Sequence, residues 1–148
     1  MSSTVPSAWI RFLLAHRELV EELDRRLRAA HGLSLREYEV LLALDSAPRR
    51  RLRRVDLAQR LVVTQSGVTR LLDGLERDGL VTRAPGEDRR VTYAVLTDAG
   101  RRRARAAGAT HRGDVDELFT RHLGARDLAS LDRILARLPG GAGEGAWR

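Results

Sequence analysis

Gln65, Ser66, Thr69 and Arg70 fall on one face of a helix predicted over residues 64–78, and they are the side chains best suited to chemistry on a partner. Val68, Leu71, Leu72 and Leu75 recur at steps of three and four and share the opposite face, which must pack on a core. An α-helix fits the major groove of duplex DNA. There glutamine suits adenine, arginine suits guanine, and threonine meets a thymine methyl. Thr64 precedes the helix as an N-cap whose hydroxyl accepts a first-turn N–H. The free amides of that turn also favour a phosphate. An ordinary solvated surface helix satisfies the same pattern, so the spacing alone does not choose between them.

Three further elements are needed to position that face. Residues 54–61 form a first short helix, Val62-Val63 make the turn, and Gly79 ends the second helix. Two extended runs, 80–84 and 91–96, then flank a polar turn over 85–90. That turn sets Arg89 and Arg90 at the tip of a narrow ribbon, where arginine gains from the negative potential of a minor groove. Asp88 lies two residues before Arg90, on the same side of an extended segment, and is assigned to orient the guanidinium. The bland alternative is a solvated turn with an ion pair contributing about 0–1 kcal/mol. Arg53, Arg54 and Arg77 flank the two helices and are phosphate candidates, holding register without reading sequence.

These residues resemble the winged helix-turn-helix of the MarR family of bacterial transcription regulators. The resemblance rests on Asp56-Leu57-Ala58-x-x-Leu61, Val68-Thr69-Arg70-Leu71-Leu72-x-x-Leu75-Glu76, Gly79-Leu80-Val81-x-Arg83, Asp88-x-Arg90 and Leu96-Thr97-x-x-Gly100. In length and helix pattern it extends over about residues 8–138, and it is strongest over 54–100. It implies a mainly α fold: a winged helix-turn-helix DNA-binding lobe and a helical dimerisation lobe, with about six helices and a two- to three-stranded wing sheet. The implied division is 7–33 and 112–138 for dimerisation, 34–100 for DNA binding, 101–111 as a connecting helix and 139–148 as a flexible tail. It further implies an obligate, triangular homodimer. Such a dimer binds a pseudo-palindromic operator whose half-site centres lie about one helical turn, ~34 Å, apart.

Charge agrees with a nucleic-acid partner. The 148 residues carry a net charge of +7, and all 27 basic residues are arginine. Residues 1–45 hold six arginines against seven acids, residues 46–91 eleven against six, and residues 92–148 ten against seven. The excess therefore peaks in the suspected reading segment, as an electrostatic footprint does, although RNA or plain solvation would tolerate the same excess. With no cysteine, disulfides, thiol nucleophiles and thiolate metal sites are excluded. No apolar run reaches the roughly 20 residues of a membrane span. No signal peptide is visible in the opening residues, so a cytoplasmic location is expected.

The flanking segments read as helices. Residues 1–6 are expected to be loose. From Ser7 to about His31, Trp9, Phe12, Leu13, His16, Leu19, Val20, Leu23 and Leu27 make a long apolar stripe. That stripe is more surface than its neighbours in sequence can cover, which supports a second subunit. Ser34-Leu35-Arg36-Glu37 is a capping box opening a helix to about Asp45. Arg49-Arg50-Arg51 lie in a loop that leads to a short strand over 51–53. Thr97 caps another helix with a basic start at Arg101, Arg102, Arg103 and Arg105, and Gly108 and Gly113 predict a kink or break in it. A last helix spans 126–138.

Chemistry of other kinds is missing from the sequence. His16, His31, His111 and His122 show no metal spacing, and His111 and His122 are expected to face solvent. No phosphate loop, nucleophile elbow or carboxylate dyad is present, so neither an enzyme nor a cofactor is expected. The resemblance implies a small anionic or aromatic effector between the lobes that releases a repressor from its operator. Trp9, Phe12, His16 and Tyr38 are the candidates for that pocket, with Arg11 for an acid group; the same residues also suit a core. Two rival readings stay open: a winged-helix protein without an effector, and a helical interaction module with an incidental basic patch.

Overall fold

The structure is a computed structural model and describes residues 4–61 and 63–141. Six helices run in the order α1 (Thr4–His31), α2 (Leu35–Asp45), α3 (Arg54–Leu61), α4 (Gln65–Arg77), α5 (Asp98–Thr120) and α6 (Ala125–Leu135). A single 3₁₀ turn, Pro48–Arg50, leads into strand β1 (Arg51–Arg53), and the wing is made by β2 (Val81–Pro85) and β3 (Thr92–Leu96). The sheet is antiparallel in the order β1-β3-β2, with Leu52 opposite Ala94 and Arg83 opposite Ala94 on the other side.

Helix α2 is the central post. Val40, Leu41 and Leu44 on it are fully buried, and it packs against α1, α3, α4, α5, β1 and β3. Its start is fixed three times over. Ser34 accepts from the Glu37 amide at 3.0 Å, Glu37 accepts from the Ser34 amide at 2.7 Å, and Asp24 of α1 accepts from the Leu35 amide at 2.8 Å. The capping box thus satisfies two orphan donors reciprocally, and Asp24 ties α1 to the same end. The apolar face of α4 (Val68, Leu72, Leu75) closes the core together with Leu57 and Leu61 of α3.

The wing is rooted by Thr97. Its hydroxyl donates to the Gly79 carbonyl at 2.8 Å and accepts from the Gly100 amide at 2.9 Å, while its own amide donates to the Leu80 carbonyl at 3.2 Å. A Cβ on Gly100 would sit 2.0 Å from the Leu80 oxygen, so only glycine lets the first turn of α5 approach this closely. The spacing Leu96-Thr97-x-x-Gly100 therefore has a steric cause.

Several expectations are corrected. The first helix begins at Thr4, three residues before Ser7, because 4–6 continue it; residues 1–3 lie outside the described residues. The two wing strands each start one residue later than expected. The last helix ends at Leu135, and Leu138 lies in the turns that follow. Val62 of the helix-turn-helix turn and residues 142–148 of the expected tail fall outside the described residues. The expected break in α5 is absent: one helix runs from Asp98 to Thr120. Gly108 is buried in it, where a Cβ would lie 3.2 Å from the Tyr38 hydroxyl, so packing on α2 offsets the intrinsic cost of glycine, about 1 kcal/mol. His111, one turn on, is half-buried with its ring 5.4 Å from that of Tyr38 rather than facing solvent, and burial pushes its pKa below the ordinary histidine value.

The joint between α1 and α5 is polar. Arg26 donates to Asp114 at 3.1 Å and Glu117 at 2.9 Å on α5, and to Glu22 on its own helix at 2.6 Å. Hydrogen bonds from Arg25 and Arg26 hold the Glu22 carboxyl at a pKa of about 2. Beyond this joint α1 is uncovered. Trp9 is 58% exposed, Phe12 43% and Leu14 47%, and α6 has no buried residue while exposing Ile134 at 49%.

Candidate nucleic-acid interface

Helix α4 is placed as its residues require. Thr64 adopts extended backbone and its hydroxyl accepts from the Gly67 amide at 3.1 Å, so the N-cap is formed and that oxygen is engaged. The same oxygen lies 3.1 Å from the Ser66 hydroxyl. Gln65, Ser66 and Arg70 are exposed on the face opposite Val68, Leu72 and Leu75. Thr69 is only partly exposed. Its hydroxyl donates back to the Gln65 carbonyl at 3.0 Å and accepts from Arg54 Nη1 at 3.3 Å. Arg54, at the start of α3, thereby braces α4 as well as standing beside it.

A groove of about 340 Å³ separates α4 from the wing. Of the sequence-assigned residues, Arg53, Arg54, Gln65, Thr69 and Arg90 line it. Thr64, Ser66, Arg70, Arg77, Asp88 and Arg89 do not. Arg53 is held by two bonds to Asp56, at 2.8 and 3.0 Å, which leaves it partly neutralised. Among the described residues, no side-chain partner engages Arg70, Arg77, Arg89 or Arg90, and all four are exposed. Unpaired guanidinium groups are free to meet phosphate oxygens.

The role expected for Asp88 is corrected. Its Oδ1 accepts from the Arg90 backbone amide at 3.0 Å instead of holding the Arg90 guanidinium. The segment 87–90 is a turn, not extended backbone, so the alternation argument does not apply there; an Asp bonding the amide two residues on is the normal Asx-turn chemistry. Asp88 thus shapes the tip that carries Arg90.

Two features had no role in the sequence reading. Arg51 lies over the Tyr93 ring at 4.5 Å, a cation–π contact between the outer strand β1 and the central strand β3. Arg83 on β2 reaches Asp73 at 2.6 Å and Glu76 at 2.9 Å, both on α4. The signal for the second was available: Asp73 and Glu76 are three apart on one helix face, and two acids are anomalous on a helix meant to face phosphates.

The effector candidates divide between two environments. Trp9, Phe12 and His16 form a ladder of tilted rings with centroids 6.3 Å apart on the uncovered half of α1, where Arg11 is also exposed. Tyr38 is 3% exposed and belongs to the core between α2 and α5. Within one chain these residues do not share a pocket. Among the described residues no group of His, Asp or Glu is arranged to hold a metal ion, and no helix is long and apolar enough to cross a membrane.

Comparisons with known proteins follow the same lines. The model of the MarR family matches residues 31–91. The HTH-type transcriptional repressor YetL of Bacillus subtilis (strain 168) is 42% identical over 76 residues, covering 51% of this chain and 46% of that protein, so the match spans about half the repressor's length. The crystal structure of AbsC, a MarR family transcriptional regulator from Streptomyces coelicolor, is 30% identical with a TM-score of 0.82 and covers 96% of both chains. Sco3205, a MarR family transcriptional regulator from the same organism solved in complex with DNA, is 28% identical with a TM-score of 0.83, over 97% of this chain and 91% of that one. These relatives are transcriptional regulators. Their likeness spans the terminal helices as well as the wing, and the chain belongs to the MarR family of transcriptional regulators.

Proposed function

We propose that this chain is a dimeric, sequence-specific repressor of transcription acting on duplex DNA in the cytoplasm. The observation that carries the reading is the exposed arginines around α4 and the wing: Arg53, Arg54 and Arg90 line the groove between them, and Arg70, Arg89 and Arg90 have no ion-pair partner among the described residues. Arg26, by contrast, is neutralised by three carboxylates. In this reading Gln65, Ser66 and Arg70 contact base edges at the start of α4, with Thr69 beside them. Thr64 contributes the amides of its cap to a phosphate, Arg90 enters the minor groove, and Arg53, Arg54, Arg77 and Arg89 contact the backbone. Residues 34–100 form the reading lobe. The uncovered faces of α1 and α6 meet a second copy, which gives the two-fold symmetry that a pseudo-palindromic operator mirrors.

The test is selection of bound sequences from random duplex DNA, followed by a salt titration on the winner. A palindromic consensus with steep salt dependence supports the reading. Binding without sequence preference would move the function to an architectural role, and no binding at low salt would favour a helical interaction module.

Release of the repressor by a small aromatic or anionic molecule forms the second part of the proposal. It is supported by the exposed ring ladder of Trp9, Phe12 and His16 with Arg11 nearby, and Tyr38 is not needed for it. Titration of the protein–operator complex with aromatic carboxylic acids tests this part. No release by any of them would leave a winged-helix repressor without an effector.

A further inference from the structure

We infer that Arg83 is the positioning residue that fixes the wing against α4, and so sets the span between the major-groove side chains and Arg90. The inference rests on the DNA-binding reading above and adds a residue to which that reading gives no contact.

The geometry is that of a strut. Arg83 sits in the middle of β2, paired with Ala94 of β3, so its backbone moves with the wing. Its Nη2 reaches Asp73 at 2.6 Å and its Nε reaches Glu76 at 2.9 Å, so one guanidinium joins two turns of α4 to the strand. A planar fork held at two nitrogens by two carboxylates fixes direction as well as distance, which an ammonium cannot do. On its other edge the wing is held by β3 pairing with β1 as far as Tyr93, by the buried Val81, Ala94 and Leu96, and by the root at Thr97; Arg83 is the ion-paired tie between β2 and α4, and the tip at 86–90 lies beyond all of these. With β3 anchored through β1, loss of the tie on β2 lets that strand shift against α4, and Arg90 at the far end of the ribbon moves most. Each of these side chains is about half exposed, so the pair contributes little to global stability. Its consequence is geometric: both reading elements must engage neighbouring grooves at once.

A charge-only account makes a different prediction. There Arg83 merely screens Asp73 and Glu76 from phosphate, and removing all three charges would leave binding intact or improved. A phosphate-contact account makes a third: loss of Arg83 would weaken all duplexes alike and lower the salt slope by about one unit.

The experiment compares wild type, Arg83→Gln, Arg83→Lys and the triple variant Asp73→Asn/Glu76→Gln/Arg83→Gln on the selected operator and on a scrambled duplex. If Arg83 is a strut, Arg83→Gln and the triple variant lose about tenfold in operator affinity, the equivalent of one base-edge contact. Scrambled-duplex affinity and thermal midpoint stay near wild type, and Arg83→Lys restores only part of the loss. Full rescue in the triple variant or in Arg83→Lys overturns the strut, as does an equal loss on both duplexes. A readout without DNA separates this inference from the function. The chain has no cysteine, so spin labels at Arg70→Cys and Glu87→Cys report the helix-to-tip distance cleanly. Arg83→Gln must broaden that distance distribution, and an unchanged distribution overturns the strut even if operator binding is confirmed. If wild type binds no preferred sequence, the proposed function fails while the spin-label result still decides the strut.

Discussion

The two ends of this molecule solve the problem of apolar surface in opposite ways. The reading lobe closes its own core: Leu41, Leu44, Leu57, Val68 and Leu75 are fully buried within one chain. The terminal helices do not. Trp9, Ile10, Phe12 and Leu13 of α1 and Ile134 of α6 remain between 43% and 58% exposed. Exposed apolar surface on this scale fits the subunit interface proposed above. The difference teaches that the reading lobe completes its core within one chain, while the terminal helices leave apolar surface for the second copy proposed above.

Breaking the first half of that comparison has the largest expected effect. Leu41→Ala removes a fully buried side chain at the centre of α2 and should cost about 2–5 kcal/mol, measured by denaturant unfolding. A loss below 1 kcal/mol would mean the reading lobe is not closed by its own core. Phe12→Asp attacks the other half. It places a charge in the proposed subunit interface and should weaken association by about 2 kcal/mol or more, read as a shift toward monomer in sedimentation equilibrium. An unchanged molecular mass would show that this face does not hold the copies together. Arg90→Ala touches neither core nor proposed interface. It should weaken operator binding by about 1–3 kcal/mol and reduce the salt slope by about one, with unfolding unaltered.

The smallest effect sharpens the boundary between the two regions. Glu22 lies where α1 passes from its covered to its uncovered half, and Arg25 and Arg26 lower its pKa from an ordinary 4.5 to about 2. A depressed folded-state pKa means that its stabilising contribution is complete above about pH 4.5 and is lost as pH falls toward about 2. Unfolding measured through that window should therefore show a steeper acid loss for wild type than for Glu22→Gln. Equal slopes would place the acid sensitivity of the fold elsewhere.

The same division marks what could be read from residue order. The capping box at Ser34, the caps at Thr64 and Thr97, and the strand over 51–53 follow from local chemistry, and all are found in the structure. Most of what failed depended on contacts distant in sequence, Asp88 being the local exception. Gly108 looked like a breaker because its value lies in letting Tyr38, seventy residues earlier, approach α5. His111 looked solvent-facing because its covering ring comes from α2. Asp88 was given a side-chain partner where the turn supplied a nearer one, the Arg90 amide. Arg83 showed its motif but not its purpose, since the acids it joins sit on another element. The face of α4 was legible because a reading helix must display its side chains locally. The groove behind it was not, because its walls come from three separate stretches.

The unbroken run of α5 carries a consequence of its own. Its 23 residues make a rod about 34 Å long, pinned at one end to the root of the wing and at the other extending past Arg26's carboxylates. Each residue of such a rod advances it by about 1.5 Å and turns everything beyond by about 100°. Its length is therefore a phase as well as a distance. One residue added or removed would swing the far helices out of alignment with the wing, whereas a change of seven, close to two full turns, would nearly restore it. In a rod of this kind, the tolerance to insertion should rise and fall with helical period instead of falling steadily with size.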